Sequence, residues 1–584
     1  MNFDSILTSK LKPRMFFLLG IILLGTVLEI AGISLIIPII ISIIDPAFTT
    51  KYPQVEQFIS YFIEPTHANI IFFGISFLIL FYVFKTIYLV FMVIMQGRFV
   101  YKVKEDIGNR LFRGYLFKPY DFFLNQNSAQ LIRNLTTEVA NLGVVLRAGM
   151  LLFTDGIILI SVTCLLFIVE PFGTFIIFSV LSLSAIIFQF FTKAKLVKFG
   201  HLRQFHEGKR IQNIQQGLSS IKNVKILSRE KIFLKWFSQH NSAGVQAERF
   251  QYIIAAMPRY FLEFVVVIGL AGLVSVQFIS GKSVESITLI LGVYAIAIFR
   301  LLPSFNRIIA ASQQIRFCWP AYQIIGDELR RVEERERDQI SYDKQLNSTD
   351  VPTLSDKIKL HNLFFKHAGV EEYVIKNINI EIPKGSFIGI IGGSGAGKST
   401  LVDLILGLLT PTKGFVEIDK MNIQNSIKSW QSQLGYVPQN IDLVDDTIRN
   451  NIAFGVLHTE INKAFVERAV KSSHLDLFVS QLPDGLDTII GEQGVKLSGG
   501  QRQRIGVARA LYHDPKILIL DEATSSLDMD TEAEIMNTIN ALHGEKTIIL
   551  ISHRPQTLRN CDMIYHIEAG SILRSGSYAE LMKT

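Results

Sequence analysis

Cysteine is scarce in this chain. Only Cys164, Cys318 and Cys561 occur among 584 residues, far apart and without metal-ligand spacing. Neither a disulfide framework nor a cysteine-held zinc is expected. Charge is sparse too, at 19% of residues against 49% apolar, and the mean hydropathy of +0.33 excludes an ordinary soluble enzyme of this length. A net charge of +7 would suit nucleic acid, but the excess Lys and Arg sit in loops beside apolar runs, as the positive-inside rule describes. No nucleic-acid partner is expected. The first apolar run is too long for a signal h-region and lacks a small-residue cleavage end, so no cleavable signal is expected. Its polar approach, with Lys10, Lys12 and Arg14, suits an amphipathic entry helix on the cytoplasmic surface.

What the chain has in abundance is uninterrupted apolar sequence. Six spans are predicted, at Phe16–Ile43, Ala68–Met95, Gly149–Val169, Phe172–Phe191, Ile253–Ile279 and Ile287–Ile309. Each has about the 20 residues needed to cross a hydrocarbon layer of ~30 Å. The loops after the second and fourth spans are long and rich in Lys and Arg, whereas those after the first, third and fifth are not. The charged loops are therefore assigned to the cytoplasm, and six crossings return the C-terminus there. Helical periodicity continues into the long loops, so the helices are expected to outrun the bilayer. In Tyr52–Pro65 the residues Val55, Phe58, Ile59, Phe62 and Ile63 recur at helical spacing, which predicts a short amphipathic helix in the outer interface. The fold expected is an all-α membrane domain over 1–330, a charged linker over 331–355 and an α/β nucleotide-binding domain over 356–584.

The second domain carries its chemistry in short motifs. Apolar Phe387–Ile391 leads into Gly392-Gly393-Ser394-Gly395-Ala396-Gly397-Lys398-Ser399-Thr400, a P-loop pattern between a strand and the apolar helix Leu401–Leu409. The glycines let backbone N–H groups approach phosphate oxygens, and the helix N-terminus favours negative charge. Lys398 would reach the β- and γ-phosphates of ATP, and the Ser399 hydroxyl would coordinate Mg²⁺. A second apolar strand, Ile517–Leu520, ends in Asp521-Glu522. Asp521 is placed to hold the Mg²⁺ shell, and Glu522 to polarise the attacking water as general base.

Leu497-Ser498-Gly499-Gly500-Gln501 resembles the signature of the ATP-binding cassette (ABC) family, and the resemblance extends from Lys357 onward. It implies that Gln439, in Tyr436-Val437-Pro438-Gln439, is the Q-loop glutamine that senses Mg²⁺ and the membrane domain. It further implies that Gly491–Gly494 is the X-loop, Ser526-Leu527-Asp528 the D-loop and His553 the switch histidine at the γ-phosphate. The stretch Asn362–His367 places His367 where the family usually stacks an aromatic on adenine, with Phe365 as a second candidate. In this family Ser498, Gly499, Gly500 and Gln501 of one cassette close over the ATP of another. Since this chain carries every catalytic part, a homodimer is expected. Six spans followed by one cassette resemble the exporter branch, with Lys118–Asn127 and Gly217–Asn223 as its two coupling helices.

Seven charges lie inside the predicted spans: Glu29, Lys85, Asp155, Arg259, Glu263, Arg300 and Arg307. At about 1.5 Å per residue from the outer loops, Lys85 and Arg300 fall roughly 24 Å deep and Arg259 and Arg307 roughly 30–35 Å deep. A charge inside a membrane should face a cavity or a partner. The four cations therefore predict a basic inner-half cavity for an anionic headgroup, the alternative being that Arg259 and Arg307 snorkel to the inner headgroups. The runs around Lys85, Arg259 and Arg300–Arg307 resemble the PglK-like family of flippases, which turn undecaprenyl-pyrophosphate-linked oligosaccharides outward across the bacterial inner membrane for protein N-glycosylation. Where that family has Arg in the second span, this chain has Lys85, keeping charge but losing bidentate geometry. The resemblance implies the same substrate class, with membrane lipids as surroundings and the ATPase domain in the cytoplasm. The alternative is export of another amphiphile such as a lipid A precursor, a peptide or a drug. An ATP-gated channel or a non-transporting regulator on the same cassette is a further class. It is disfavoured because Glu522 and Gln501 are both present.

Overall fold

The computed structural model describes residues 6–44, 66–169, 171–279, 284–345, 354–523 and 529–581. The expected outer amphipathic helix, Tyr52–Pro65, and the D-loop, Ser526–Asp528, lie outside these. The chain divides into two compact units, one of residues 1–118 and 125–340, the other of 119–124 and 341–584.

The first unit is helical. Its long members are α1 (Lys12–Ile44) and α2 (His67–Leu116). The short α3 (Tyr120–Asn125), whose residues up to 124 fall in the second unit, is followed by α4 (Ser128–Arg133), a π-helical turn, Asn134–Glu138, and α5 (Val139–Val169). Then follow α6 (Pro171–Ser219), the short α7 (Ile221–Ile226), α8 (Glu230–Ile279) and α9 (Val284–Gln345). The starts of α2 and α4 are set by sequence: Thr66 and Asn127 accept hydrogen bonds from Asn69 N–H and Ala129 N–H, satisfying donors that a helix leaves open at its N-terminus. Five helical segments among the described residues are long and apolar enough to cross a membrane, beginning at Lys12, His67, Ser128, Gly173 and Glu230. The sixth predicted span lies in α9. Bulky apolar groups point outward, as Phe190 at 79% and Ile168 at 83% exposure do. Water would penalise such a surface; lipid does not.

Inside this unit, Leu18 and Ile22 of α1, Phe99 and Ile107 of α2, Leu142 of α5 and Ile325 of α9 form one core. A second core joins Ile158 of α5, Leu181 of α6, Leu262 of α8 and Leu301 and Phe305 of α9. The charged run expected as linker begins as a continuation of α9 to Gln345. Its Glu, Arg and Lys residues are good helix formers, and nothing in the run breaks the helix.

In the second unit, an antiparallel sheet of order β2-β1-β4-β5 is built from β1 (Lys357–Phe365), β2 (Ile375–Pro383), β4 (Lys413–Ile418) and β5 (Met421–Asn422). A six-stranded sheet of order β10-β9-β3-β8-β7-β6 is built from β3 (Phe387–Gly392), β6 (Leu434–Val437), β7 (Ile517–Asp521), β8 (Thr547–Ile551), β9 (Met563–Glu568) and β10 (Ser571–Gly576). Only β10 runs antiparallel to its neighbour. Every residue of β7 and β8 is buried, which is why both read as continuous apolar runs rather than alternating ones. The carboxyl ends of β3, β8, β7 and β6 come together, where an open parallel sheet places its ligands.

Candidate active site

The P-loop leaves β3 and enters α10 (Lys398–Ile405). A Cβ at Gly392 would stand 2.3 Å from the carbonyl oxygen of Ile567, so any side chain there would push the loop off the sheet. Gly397, at φ +101°, turns the chain into the helix through the left-handed region that L-residues avoid. The Lys398 ammonium is buried and donates to the carbonyls of Gly392 (2.9 Å) and Gly393 (3.0 Å). It thus holds the loop from within, with its charge at the centre of the cradle. The far end of α10 is fixed by the fully buried Trp430, whose indole N–H donates to Ile405 O at 2.7 Å, pairing one of the carbonyls that a helix leaves open.

Asp521 ends β7, level with Ile551 of β8. The next residue, Glu522, has φ +49°, a region sparsely populated by non-glycine residues and associated with strained functional positions. This turn brings its carboxylate to two residues far away in sequence. Gln439 Nε2 donates to Glu522 Oε2 at 2.7 Å, and His553 Nδ1 lies 3.6 Å from the same oxygen. Glu522, Gln439 and His553 therefore meet, at the ends of β7, β6 and β8. The carboxylate is mostly buried, while the imidazole is half exposed. A water held between them would meet a base and two orienting groups.

Two further residues join this site that motif reading passes over. The Tyr436 hydroxyl bonds to Asp521, and burial pushes the phenol well above its ordinary range. Asp403, on α10, has its carboxyl raised to about 6 by burial and by the neighbouring Asp521. Asp521 is itself raised by burial and by Glu522, against the pull of Lys398. The signal for Asp403 was present: one acid interrupts the otherwise apolar Leu401–Leu409. A divalent cation fits this donor set, since crowded buried carboxylates are relieved by positive charge. Asp521 and the Ser399 hydroxyl are the residues that would hold Mg²⁺, with Gln439 beside them.

This crowding carries a prediction. A carboxyl whose pKa is raised on folding stabilises below its unfolded value and loses that stability as pH climbs through the folded one. In Mg²⁺-free, nucleotide-free buffer, Asp403→Asn should therefore raise the thermal midpoint at pH 8. The gain should be about 1 kcal/mol, allowing for the screening of a half-exposed group, and should vanish near pH 4. Thermal melts across that range check the sign.

The signature stretch starts α11 (Gly499–Leu511). Ser498 Oγ accepts from Gln501 N–H (3.2 Å), and Gln501 Oε1 accepts from Ser498 N–H (2.9 Å). This capping box leaves Gly499 and Gly500 without side chains at a helix N-terminus, a surface suited to an anion. The X-loop is a 3₁₀ turn at Glu492–Gly494, with Gln493 at φ +53°. His367 stands edge-on to Phe365, with ring centroids 5.0 Å apart. Phe365 is 6% exposed and belongs to the core, so it has no free face for adenine. The inward alternation of β1, with Leu363 and Phe365 buried and Phe364 half-buried, puts it there.

Of the four cations expected to line a basic cavity in the membrane domain, the described residues place the side chains of three. Arg307 of α9 is bound by Asp155 of α5 through Nε (2.9 Å to both oxygens) and a terminal nitrogen (2.6 Å). Arg259 is paired along α8 with Glu263 at 3.0 Å, and its side chain is 69% exposed. Lys85 is buried, its ammonium 4.5 Å from the Tyr82 ring centroid and packed toward Gly32 of α1. The side chain of Arg300 lies outside the described residues. A carboxylate partner offsets the cost of holding a cation in a low-dielectric layer, and half of the Arg307 side chain stays exposed beside Asp155.

Comparison with known proteins agrees with this geometry. Residues 16–300 match the model of the ABC transporter transmembrane region, and residues 375–525 match that of the ABC transporter. A protein of Syntrophus aciditrophicus named ATP-dependent lipid A-core flippase is 31% identical over 512 residues, covering 84% of this chain and 80% of that one. One of Nitrosococcus oceani with the same name is 29% identical over 491 residues, covering 82% and 79%. A bacterial Atm1-family ABC exporter solved with ATP bound superposes with a TM-score of 0.75 at 21% identity, covering 98% of this chain and 96% of that one. The chain therefore belongs to the ABC transporter family, as an exporter-type half-transporter whose membrane-spanning helical domain is joined to an ATPase that drives transport.

Proposed function

We propose that two copies of this chain use ATP hydrolysis to turn an anionic, lipid-A-type glycolipid from the cytoplasmic to the outer leaflet of a bacterial inner membrane. The relatives aligned across both domains carry that activity in their names, and this is the observation that carries the reading. Glu522 acts as general base, oriented by Gln439 and His553. Lys398 and the P-loop backbone bind the phosphates, Asp521 and Ser399 hold Mg²⁺, and Ser498–Gln501 of the second copy close the site. His367 takes the adenine. Bound ATP supplies the phosphoryl transfer whose free energy drives the helices.

A polyprenyl-pyrophosphate-linked oligosaccharide is the second reading, favoured by the resemblance of the runs around Lys85, Arg259 and Arg307. Reconstitution into sealed liposomes separates the two, with a labelled lipid A-type glycolipid in one set and a labelled polyprenyl-pyrophosphate glycan in the other. ATP-dependent exposure of the first label to an impermeant quencher, abolished by Glu522→Gln, is expected. Movement of the second alone would transfer the assignment. Movement of neither, or ATP hydrolysis at full rate by a stable monomer, would overturn the proposal.

A further inference from the structure

Between α1 and α2, where the apolar runs give way to charge, lies a cavity of about 260 Å³. Its floor includes the buried Leu18 and Phe99, and Phe17 stands exposed at one side. Three cations line it: Arg14 in the first turn of α1, and Arg98 and Lys102 one turn apart on α2. Lys102 is bound by Glu105 at 2.9 Å. Arg14 and Arg98 are exposed, and no carboxylate among the described residues pairs with either. Arg14 stands just before the first residue of its apolar span and Arg98 just after the last residue of its own, flanks on the positively charged side where anionic headgroups are met. The N-terminus of α1 adds its own positive end to the site.

We propose that this α1–α2 groove docks an anionic phospholipid of the adjoining leaflet, its phosphate held between Arg14 and Arg98 and an acyl chain lying along the exposed Phe17, over the floor that Leu18 and Phe99 make. A basic pocket between membrane helices on the positively charged side is the setting in which lipid headgroups are recognised. The exposed Phe17 ring beside the cations favours a lipid over free phosphate, which would leave that ring facing water. The groove is built on α1 and α2, whereas the Arg307–Asp155 pair joins α9 to α5. The proposal therefore holds whichever lipid is transported.

Native mass spectrometry of the full-length protein in detergent, titrated with phosphatidylglycerol or phosphatidylcholine, tests it. The wild type should retain phosphatidylglycerol more tightly. Each cation near a lipid surface is worth about fivefold in binding, so Arg14→Gln with Arg98→Gln should weaken that retention by roughly 20-fold, leave phosphatidylcholine unchanged, and be largely rescued by Arg14→Lys with Arg98→Lys. Equal retention by the Gln pair would overturn the site. So would parallel loss of phosphatidylcholine, full displacement by inorganic phosphate, or a disulfide between Arg14→Cys residues of two copies, which would show a second chain seated there. If the Gln pair fails to fold, the single variant Arg98→Gln should lose about fivefold, and no loss would refute the proposal.

Discussion

Glu522→Gln is expected to lower steady-state ATP hydrolysis by about 10²- to 10⁴-fold, the range by which a positioned acid–base group accelerates proton transfer. The change is nearly isosteric. The amide oxygen can still accept from Gln439 Nε2, now 2.7 Å away, so the local geometry should persist while the ability to take a proton is lost. Nucleotide affinity should hold within a few-fold, because Lys398 and the P-loop backbone are untouched. The protein should accumulate with ATP bound, in the closed two-copy state proposed above. Phosphate release and nucleotide binding measured on the same preparation separate the two effects. Hydrolysis within tenfold of wild type would remove Glu522 from the role of base. Loss of binding alongside hydrolysis would show the left-handed turn at 522 to be structural instead.

Asp155→Asn should destabilise the membrane domain by about 1–2 kcal/mol, less than breaking a fully buried ion pair, because the Asp155 carboxylate is buried while the Arg307 side chain is half exposed. The Asp155 side chain is 4% exposed and accepts three contacts from the Arg307 guanidinium. Arg307 also donates to Ser304 Oγ at 3.3 Å. Without the carboxylate, Arg307 keeps its charge in a layer that cannot solvate it. Pairing Asp155→Asn with Arg307→Met should recover most of the loss, since an apolar replacement of both partners leaves nothing unpaired. Thermal melting in detergent checks both variants. A double variant no more stable than Asp155→Asn would sink the pairing argument. Arg307→Gln alone should likewise destabilise, so transport lost in that variant would report on folding before substrate binding.

How far the sequence could be read follows from how local each feature is. The P-loop was legible because strand, glycine turn and helix are consecutive, and each residue's job is set by chemistry within a few positions. Asp521 and Glu522 were legible because four apolar residues announce a buried strand that must end somewhere. The meeting of Glu522 with Gln439 and His553 was expected only through resemblance. It depends on the strand order β3-β8-β7-β6, which no local pattern states. The membrane charges show the limit most clearly. Their identities and approximate depths could be read, yet Asp155 and Arg307 are 152 residues apart, and only packing of α5 against α9 makes them partners. Tyr436 and Asp403 escaped notice because their importance comes from what sits across the sheet end, not from their own neighbours. The continuation of α9 to Gln345 was available in principle, since a run of Glu, Arg and Lys is as helix-prone as it is charged.

The lengths of α2, α6 and α8, which have 50, 49 and 50 residues, make each of them a lever. At ~1.5 Å per residue each runs roughly 75 Å, of which only ~30 Å can be sheathed in hydrocarbon. A tilt of about 10° pivoting at one tip would sweep the other through roughly 13 Å, more than the width of a helix. Motion of a few ångströms at the outer ends of such rods can thus be bought with very small rotations at their aqueous ends.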